Sequence, residues 1–212
     1  MATGHFITFE GGEGAGKSTQ IGMLTEYLAA NKLKVTRTRE PGGAPGAERI
    51  RGLLVEGEAD QWEPFTETLL HYAARREHIY RTIRPALDRG DYVLCDRFAD
   101  STTAYQGQGQ GVPAARIEAL HRLVVEGLEP DLTLILDLPV EEGLRRAEAR
   151  GESGMRYERM GLAFHKRLRE AFLSIARANA GRCVVIDASL TQDKVFASIL
   201  ASVTRRFPEV AG

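Results

Sequence analysis

The chain has 212 residues, of which 43% are hydrophobic and 27% are charged, and its formal net charge is −1. This length is typical of one domain with a sizeable core, and the balanced charge argues against a constitutive nucleic-acid or membrane-surface partner. The sequence contains no apolar run of membrane-spanning length and no recognisable secretory signal, so we expect a cytoplasmic protein. Cys95 and Cys183 lie in predicted strands without metal-ligand or redox spacing, and we interpret both as buried thiols.

Short apolar segments and amphipathic segments alternate along the chain. Strands are predicted over residues 6–9, 34–39, 92–95, 132–138 and 183–186. Helices are predicted from residue 17, around residues 50–54, over 64–88, from 113, over 140–150, over 157–179 and around residues 195–203. This alternation predicts an α/β fold, a five-stranded parallel sheet with helices on both faces, in a single domain over residues 1–212. Ligands of such sheets bind beyond the carboxyl ends of the strands.

The first strand ends in a glycine-rich loop, residues 11–18, with the sequence GGEGAGKS, which fits G-x-x-x-x-G-K-[ST]. Glycines let backbone N–H groups approach anionic oxygens, and the helix that follows adds its positive dipole end. Lys17 can reach the β- and γ-phosphates, and the Ser18 hydroxyl can bind Mg²⁺. A glycine-rich turn that matches by chance is the alternative, but a strand precedes the loop and an amphipathic segment follows it. The residues predicted to bind ATP are Gly11, Gly12, Glu13, Gly14, Ala15, Gly16, Lys17, Ser18 and Thr19.

The remaining sequence favours a small kinase among the nucleotide-binding proteins with such a loop. A switch GTPase would carry an Asn-Lys-x-Asp motif after a later strand, and the sequence has none. A large ATPase motor would need a longer chain. Phosphoryl transfer is catalysed mainly by positioning and charge neutralisation. Arginines at strand ends and around a glycine-rich break are therefore interpreted as catalytic or binding residues of a kinase, the alternative being solvated surface charges. These arginines are Arg39, Arg51, Arg75, Arg97, Arg145, Arg146, Arg150 and Arg156.

A set of motifs between residues 5 and 187 resembles bacterial thymidylate kinases. The motifs are EGGEGAGKST at residues 10–19, TREPGG at 38–43, DRF at 96–98, AYQG at 104–107, PDLT at 130–133 and the segment 150–158. The resemblance implies a P-loop kinase fold with a short arginine-bearing lid at about residues 146–158. It implies transfer of the ATP γ-phosphoryl group to dTMP, giving dTDP and supplying dTTP for DNA synthesis. It also implies Mg²⁺ as cofactor and a homodimer.

The resemblance implies a phosphate and sugar pocket for dTMP. Arg97 resembles the arginine that holds the dTMP phosphate, with Arg51 and Glu40 lining the same pocket. Glu13 resembles the acidic residue that approaches the deoxyribose 3′-hydroxyl. Tyr105 resembles the tyrosine that packs against the sugar, where a ribose 2′-hydroxyl would collide, and ordinary loop packing is its alternative role.

A thymine pocket is implied in the same way. Arg75 resembles the arginine that donates to a thymine carbonyl, and Thr102 resembles the small polar residue beside N3, with Gln106 nearby. The family often has phenylalanine four residues before this arginine, and here the residue is His71. Residues four apart on a helix share a face, so His71 is predicted to stack on the base, with Tyr72 as the alternative platform.

Catalytic roles are implied for Lys17, Arg97, Arg150 and Arg156. Some relatives carry an arginine in the phosphate loop where this chain has Gly14, so the two lid arginines are expected to supply that charge. Lysine or arginine is also found in relatives at the lid position that Glu148 occupies here.

Metal binding is predicted at Ser18 and Asp96, because Asp96 ends a strand as a Walker-B-like carboxylate does. An Asp96–Arg97 ion pair is the alternative for this carboxylate. Two other functions stay open: another small-molecule or nucleoside monophosphate kinase, and a non-catalytic nucleotide-binding or regulatory P-loop module. Arg97 with Tyr105 and Gln106 argues against the first, and the paired lid arginines argue against the second.

Overall fold

The computed structural model describes residues 4–58, 60–149, 157 and 160–211 and contains one five-stranded sheet. The strands are β1 (His5–Glu10), β2 (Val35–Arg39), β3 (Tyr92–Asp96), β4 (Leu132–Asp137) and β5 (Cys183–Asp187). Their order is β2-β3-β1-β4-β5, and every neighbouring pair is parallel. The predicted parallel sheet is confirmed, with strand bounds within about two residues of those expected, the usual uncertainty of element ends.

Helices connect the strands. They are α1 (Lys17–Ala30), α2 (Pro45–Val55), α3 (Pro64–His78), α4 (Arg84–Asp88), α5 (Ala99–Thr102), α6 (Ala114–Val125), α7 (Val140–Ala149), α8 (Leu162–Ala178) and α9 (Gln192–Arg206). Two π-helical turns, Ile79–Ile83 and Thr103–Gly109, follow α3 and α5, and a 3₁₀ turn spans Pro208–Ala211. No helix in the described ranges is both long and apolar enough to span a membrane.

The segment predicted as one helix over residues 64–88 is helical throughout, but it consists of α3, the π-helical turn Ile79–Ile83 and α4 in succession. Pro85 lies two residues after the end of this turn, lacks an N–H and would crowd the carbonyl group of Arg81 in an unbroken α-helix. A wider turn before the proline relieves that conflict. The helix predicted from residue 157 begins at Leu162, after Gly161 in an extended conformation. No element was predicted between residues 97 and 112, where α5 and the second π-helical turn lie.

Both faces of the sheet are buried. On one face, α1 and α9 pack against Ile7 and Phe9 of β1. On the other, α3 and α6 cover Phe6, and α8 covers Ile135 of β4. Successive side chains of a strand point to opposite faces of the sheet, which explains why neighbouring residues of β1 pack against different helices. The helices leave the carboxyl ends of the strands open.

The three adjacent strands β2, β3 and β1 bring their carboxyl ends together. The phosphate loop follows β1, Glu40 follows β2, and Asp96 ends β3. The backbone N–H of Glu40 donates to the carbonyl of Asp96 at 2.9 Å, and that of Arg97 donates to the carbonyl of Phe9 at 2.9 Å. Residues from separate parts of the chain are thereby fixed around one opening.

Candidate active site

An open cleft of about 440 Å³ lies at the carboxyl ends of β2, β3 and β1. All nine residues predicted to bind dTMP line it, together with the phosphate loop from Glu13 to Thr19 and with Asp96. The dTMP set is Glu13, Glu40, Arg51, His71, Arg75, Arg97, Thr102, Tyr105 and Gln106. Arg150 and Arg156, predicted as lid cations, lie outside the residues that the structure describes, as does most of the predicted lid. Gly11 and Gly12, also predicted to bind ATP, are not part of this lining and border a separate small cavity beside β4 and α8.

The phosphate loop has the backbone shape that its glycines allow. Gly14 and Gly16 have φ of 69° and 85°, in the left-handed region, and Gly16 immediately precedes α1. The Lys17 ammonium group donates to the carbonyl oxygens of Gly11 at 3.2 Å and Gly12 at 2.9 Å. Burial and the neighbouring Arg97 lower the pKa of Lys17. This cation is therefore already held at the mouth of the loop where anionic phosphates would enter.

Helix α7 touches the phosphate loop backbone to backbone. A Cβ placed on Gly143 of α7 would lie 2.5 Å from the carbonyl oxygen of Glu13, and one placed on Gly14 would collide with the carbonyl group of Gly143. Neither position has room for a side chain. The contact holds the helix that leads toward residue 150 directly against the loop.

We expect Gly143→Ala to lower kcat/KM for ATP by about tenfold or more, because overpacking of this kind costs about 1–3 kcal/mol and here falls on the phosphate loop. Steady-state kinetics with varied ATP would measure the effect. The matched control is Gly22→Ala on α1, where the nearest atom to the new Cβ is 3.8 Å away. Equal kinetics for the two variants would contradict a tight contact between α7 and the loop.

Arg97 stands at the centre of the cleft's polar network. Its guanidinium group pairs with Glu13 at 3.2 Å and donates to the carbonyl of Gly11 at 2.9 Å and to the Ser101 hydroxyl at 3.2 Å. The Tyr105 hydroxyl lies 2.7 Å from both carboxylate oxygens of Glu13. Burial opposes ionisation of Glu13, yet Arg97 and nearby Lys17 hold its pKa below the usual range.

The backbone of Arg97 is in the left-handed region, with φ of 69°, which is uncommon for a residue with a side chain. The Cys95 thiol lies 3.0 Å from the carbonyl oxygen of Arg97 and donates to it. Such strained residues concentrate at functional sites, where the surrounding structure holds them in place. Cys95 is buried, as predicted, and it also helps to position this arginine.

Ser18 and Asp96 meet at the phosphate-loop side of the cleft. The Ser18 hydroxyl donates to Asp96 at 2.9 Å, so Asp96 is bonded to Ser18 rather than to Arg97. Hydroxyl and carboxylate oxygens suit Mg²⁺, which keeps several waters and shares its remaining positions with substrate phosphates. Within the described ranges no cluster of three or more acidic, histidine or cysteine side chains could hold a metal. The donor set therefore fits a metal bound largely by nucleotide and water.

Arg75 lies at the opposite end of the cleft and is 2% exposed. It donates from Nε to Glu40 at 2.8 Å and from Nη2 to Thr102 at 3.0 Å and to the carbonyl of Phe98 at 3.1 Å. The guanidinium lies 4.7 Å from the ring centre of Tyr72 and 5.2 Å from that of Phe98. Its Nη1 is buried and has no hydrogen-bond partner among the described residues. A buried donor of this kind is costly unless a ligand accepts from it.

Arg75 is supported by Glu40, which was predicted to line the dTMP pocket, and through Glu40 by His78, which was not singled out from the sequence. Glu40 accepts from Arg75 through one oxygen, and its other oxygen lies 3.0 Å from Nδ1 of His78. Nε2 of His78 lies 2.6 Å from the Thr38 hydroxyl. His78 follows Arg75 by three residues on α3, and residues at this spacing share a helix face. The spacing could therefore have indicated that both side chains face Glu40. Glu40 thus lines the cleft with both oxygens already bonded within the protein.

Of the two candidate base platforms, His71 lines the cleft and Tyr72 does not. Tyr72 is 2% exposed and belongs to the apolar cluster beneath Arg75 that includes Phe98. Nε2 of His71 lies 3.0 Å from the hydroxyl of Tyr157, a further cleft residue that the sequence analysis did not single out.

Glu10 is another buried carboxylate, and no role was assigned to it from the sequence. It ends β1, is fully buried, and accepts from the backbone N–H of Phe98 at 2.7 Å and from the Ser101 hydroxyl at 2.5 Å. Burial and repulsion from Asp100 raise the pKa of Glu10 to about 8, although Ser101, Arg97 and Phe98 favour its charged form. Through Ser101 it joins the end of β1 to the segment that carries Arg97.

We expect Glu10→Gln to make protein stability less dependent on pH. Because the pKa of Glu10 rises from 4.5 to about 8 on folding, the free energy of unfolding should fall as pH rises through that window. The slope from this group is at most about 1.4 kcal/mol per pH unit. Urea unfolding at several pH values would measure it, with the exposed Glu118→Gln as control. The same slope in wild type and Glu10→Gln would show that Glu10 does not titrate in this range.

Comparisons with known proteins agree with one another. A profile of the thymidylate kinase family, described as "Thymidylate kinase", matches residues 9–199. Thymidylate kinase from Caulobacter vibrioides is 61% identical over 206 residues, covering 97% of this chain and 99% of the relative. Thymidylate kinase from Nitrobacter winogradskyi is 52% identical over 205 residues, covering 96% of this chain and 89% of the relative.

The fold is also similar to that of a solved structure. The crystal structure of thymidylate kinase from Ehrlichia chaffeensis matches with a TM-score of 0.76 and 36% sequence identity, covering 95% of this chain and 99% of that one. Sequence similarity of this extent over nearly the whole length, together with the shared fold, leads to one conclusion: the chain belongs to the thymidylate kinase family.

Proposed function

We infer that this chain, an ATP-dependent dTMP kinase, carries out its reaction in the cleft between the phosphate loop and Arg75. The reaction transfers the γ-phosphoryl group of ATP to dTMP and yields dTDP and ADP. The main support for placing the reaction in this cleft is that two different binding sites face each other across it. A phosphate loop with Lys17 lies at one end, and a buried arginine with an unpaired donor lies at the other.

At the acceptor end, thymine is placed against Arg75, Thr102 and Gln106. The unpaired Nη1 of Arg75 suits a thymine carbonyl, which is an acceptor. The dTMP phosphate is placed near Arg97 and Arg51, whose guanidinium groups match phosphate geometry. Between these two ends the deoxyribose faces Glu13 and Tyr105, and the 3′-hydroxyl is assigned to Glu13.

At the donor end, the backbone N–H groups of the phosphate loop and Lys17 hold the ATP phosphates. Ser18 and Asp96 are the residues that would hold Mg²⁺ or its waters, and a bound metal would supply charge neutralisation at the phosphate oxygens. The role assigned to Lys17 and Arg97 is to stabilise the negative charge on the phosphoryl group in the transition state, which is the main catalytic requirement of this reaction. Arg150 and Arg156, which lie outside the described residues, are proposed from the family resemblance to supply two further cations.

A homodimer is proposed as the assembled state and the cytoplasm as its location. Support for the homodimer comes from α3 and α6, which pack together and leave Leu69 and Leu123 44% and 74% exposed. We take these two exposed leucines as the candidate contact surface for the second copy. The two free, buried cysteines fit a reducing compartment.

The proposed acceptor is tested by ADP release with dTMP, dUMP, dCMP, dGMP and AMP at matched concentrations. We expect dTMP to have the highest kcat/KM, because a base that leaves a buried donor unpaired costs about 1–3 kcal/mol. A higher kcat/KM for AMP or dGMP would contradict the placement of thymine against Arg75.

We expect His71→Phe to tighten dTMP binding several-fold, because phenyl has a larger π-face than imidazole and base stacking is worth about 1–3 kcal/mol. Calorimetric titration with dTMP would measure the effect. An unchanged dTMP affinity in His71→Phe would contradict a stacking role for His71.

A further inference from the structure

Glu67 is a buried carboxylate beside the thymine end of the cleft that the mechanism above does not use. It lies on α3 and has no exposed surface. Three side-chain groups donate to its Oε1 atom: Nε2 of Gln106 at 2.7 Å, the hydroxyl of Tyr157 at 2.8 Å and Nε2 of Gln110 at 3.0 Å. A carboxylate oxygen accepts hydrogen bonds, so each of these three groups must present a proton to it.

This geometry determines the orientation of the Gln106 amide. The side-chain NH₂ and C=O groups of glutamine are nearly interchangeable in shape, so only hydrogen bonding decides which way they point. With its NH₂ group on Glu67, Gln106 can offer only its carbonyl oxygen in the opposite direction. That oxygen has no hydrogen bond within the described part of the chain, and the side chain lines the cleft.

We propose that Glu67 is a specificity-determining positioning residue that fixes the Gln106 amide so that its carbonyl oxygen accepts from N3–H of thymine. This inference rests on the proposed placement of thymine at Gln106. Thymine carries a proton on N3, whereas cytosine carries a lone pair there. A carbonyl oxygen fixed at that position bonds thymine and repels cytosine.

The three donors also make the arrangement rigid. Gln106 and Gln110 come from the π-helical turn Thr103–Gly109 and its end, and Glu67 comes from α3. The carboxylate therefore ties two separate elements together at the floor of the base pocket. π-Helical turns are frequent at functional sites, and here the turn brings two amide donors to one oxygen. A glutamine at position 67 could turn its own NH₂ group toward Gln106, which would then be free to reverse its amide.

The test compares kcat/KM for dTMP and dCMP in Glu67→Gln and wild type. We expect the preference for dTMP over dCMP to fall by about tenfold or more, the change produced by a lost hydrogen bond and a relieved repulsion at one atom. Gln110→Leu is the matched control: it removes a donor to the same oxygen, and Gln110 is not part of the cleft lining. Its preference should equal that of wild type.

A double-mutant cycle separates positioning from general loss of structure. Gln106→Leu should lower the preference for dTMP, and adding Glu67→Gln to it should change the preference no further, because Glu67 acts through Gln106. If Glu67→Gln does not fold, Glu67→Asp replaces it, since it keeps the charge and withdraws the oxygen by one methylene. A folded Glu67 variant that lowers kcat/KM for both nucleotides equally overturns the proposal. Wild type that does not prefer dTMP would instead overturn the proposed function.

Discussion

Replacing Arg97 with alanine is expected to lower kcat/KM for dTMP by about three orders of magnitude, the scale seen when an arginine that stabilises phosphoryl transfer is removed. The variant loses the cation proposed to hold the acceptor phosphate. It also leaves Glu13, 12% exposed at its side chain, without its arginine partner. The left-handed backbone of Arg97 directs its guanidinium group between the phosphate loop and Ser101.

Arg97→Lys is expected to recover only a small part of the lost activity. Arginine donates here to Glu13, Gly11 and Ser101 from two nitrogens, and an ammonium group cannot reproduce that planar arrangement. Arg122→Ala is the control, because Arg122 is 73% exposed and pairs only loosely with a glutamate one helical turn away. Single-turnover kinetics would separate binding from chemistry. A value of kcat/KM for Arg97→Ala within about tenfold of wild type would contradict the assigned role.

The second large effect is expected at Arg75. Arg75→Met should lower the free energy of unfolding by about 3–5 kcal/mol, because it leaves the buried Glu40 carboxylate without its arginine partner. Glu40 and Arg75 have side chains 5% and 2% exposed, joined at 2.8 Å. The same change should abolish the preference for dTMP among nucleoside monophosphates, since the donor assigned to the thymine carbonyl is lost.

Urea unfolding would measure the stability of Arg75→Met, with Arg145→Met as control. Arg145 is 68% exposed and pairs with Glu142 at the surface, where such pairs contribute about 0–1 kcal/mol. The double variant Arg75→Met, Glu40→Gln should be more stable than Arg75→Met alone, because it removes the unpaired charge. A loss of less than about 1 kcal/mol in Arg75→Met would contradict the expected contribution of this buried pair to stability.

Much of the protein was predictable from local sequence. The phosphate loop is a contiguous motif, and the apolar strands between helical patterns predict the parallel sheet that the structure contains. The strand ends predicted that the phosphate loop, Glu40 and Arg97 meet at one cleft, because the carboxyl ends of parallel strands lie at one edge. Tyr105 and Gln106 were assigned to the same cleft only through the resemblance of the AYQG motif to the family. These features depend on short segments of chain whose residue types and spacing carry the information.

The groups that hold the site in shape depended on tertiary structure. Glu67 meets Gln106 across 39 residues of sequence, and Glu10 meets Ser101 across 91. Gly143 rests on the phosphate loop from a helix more than a hundred residues away. In the sequence each of these is an ordinary helical glutamate, a strand-ending glutamate or a helical glycine. Their roles arise only when packing removes water and leaves each carboxylate or carbonyl a single set of partners, a long-range condition that no local pattern encodes.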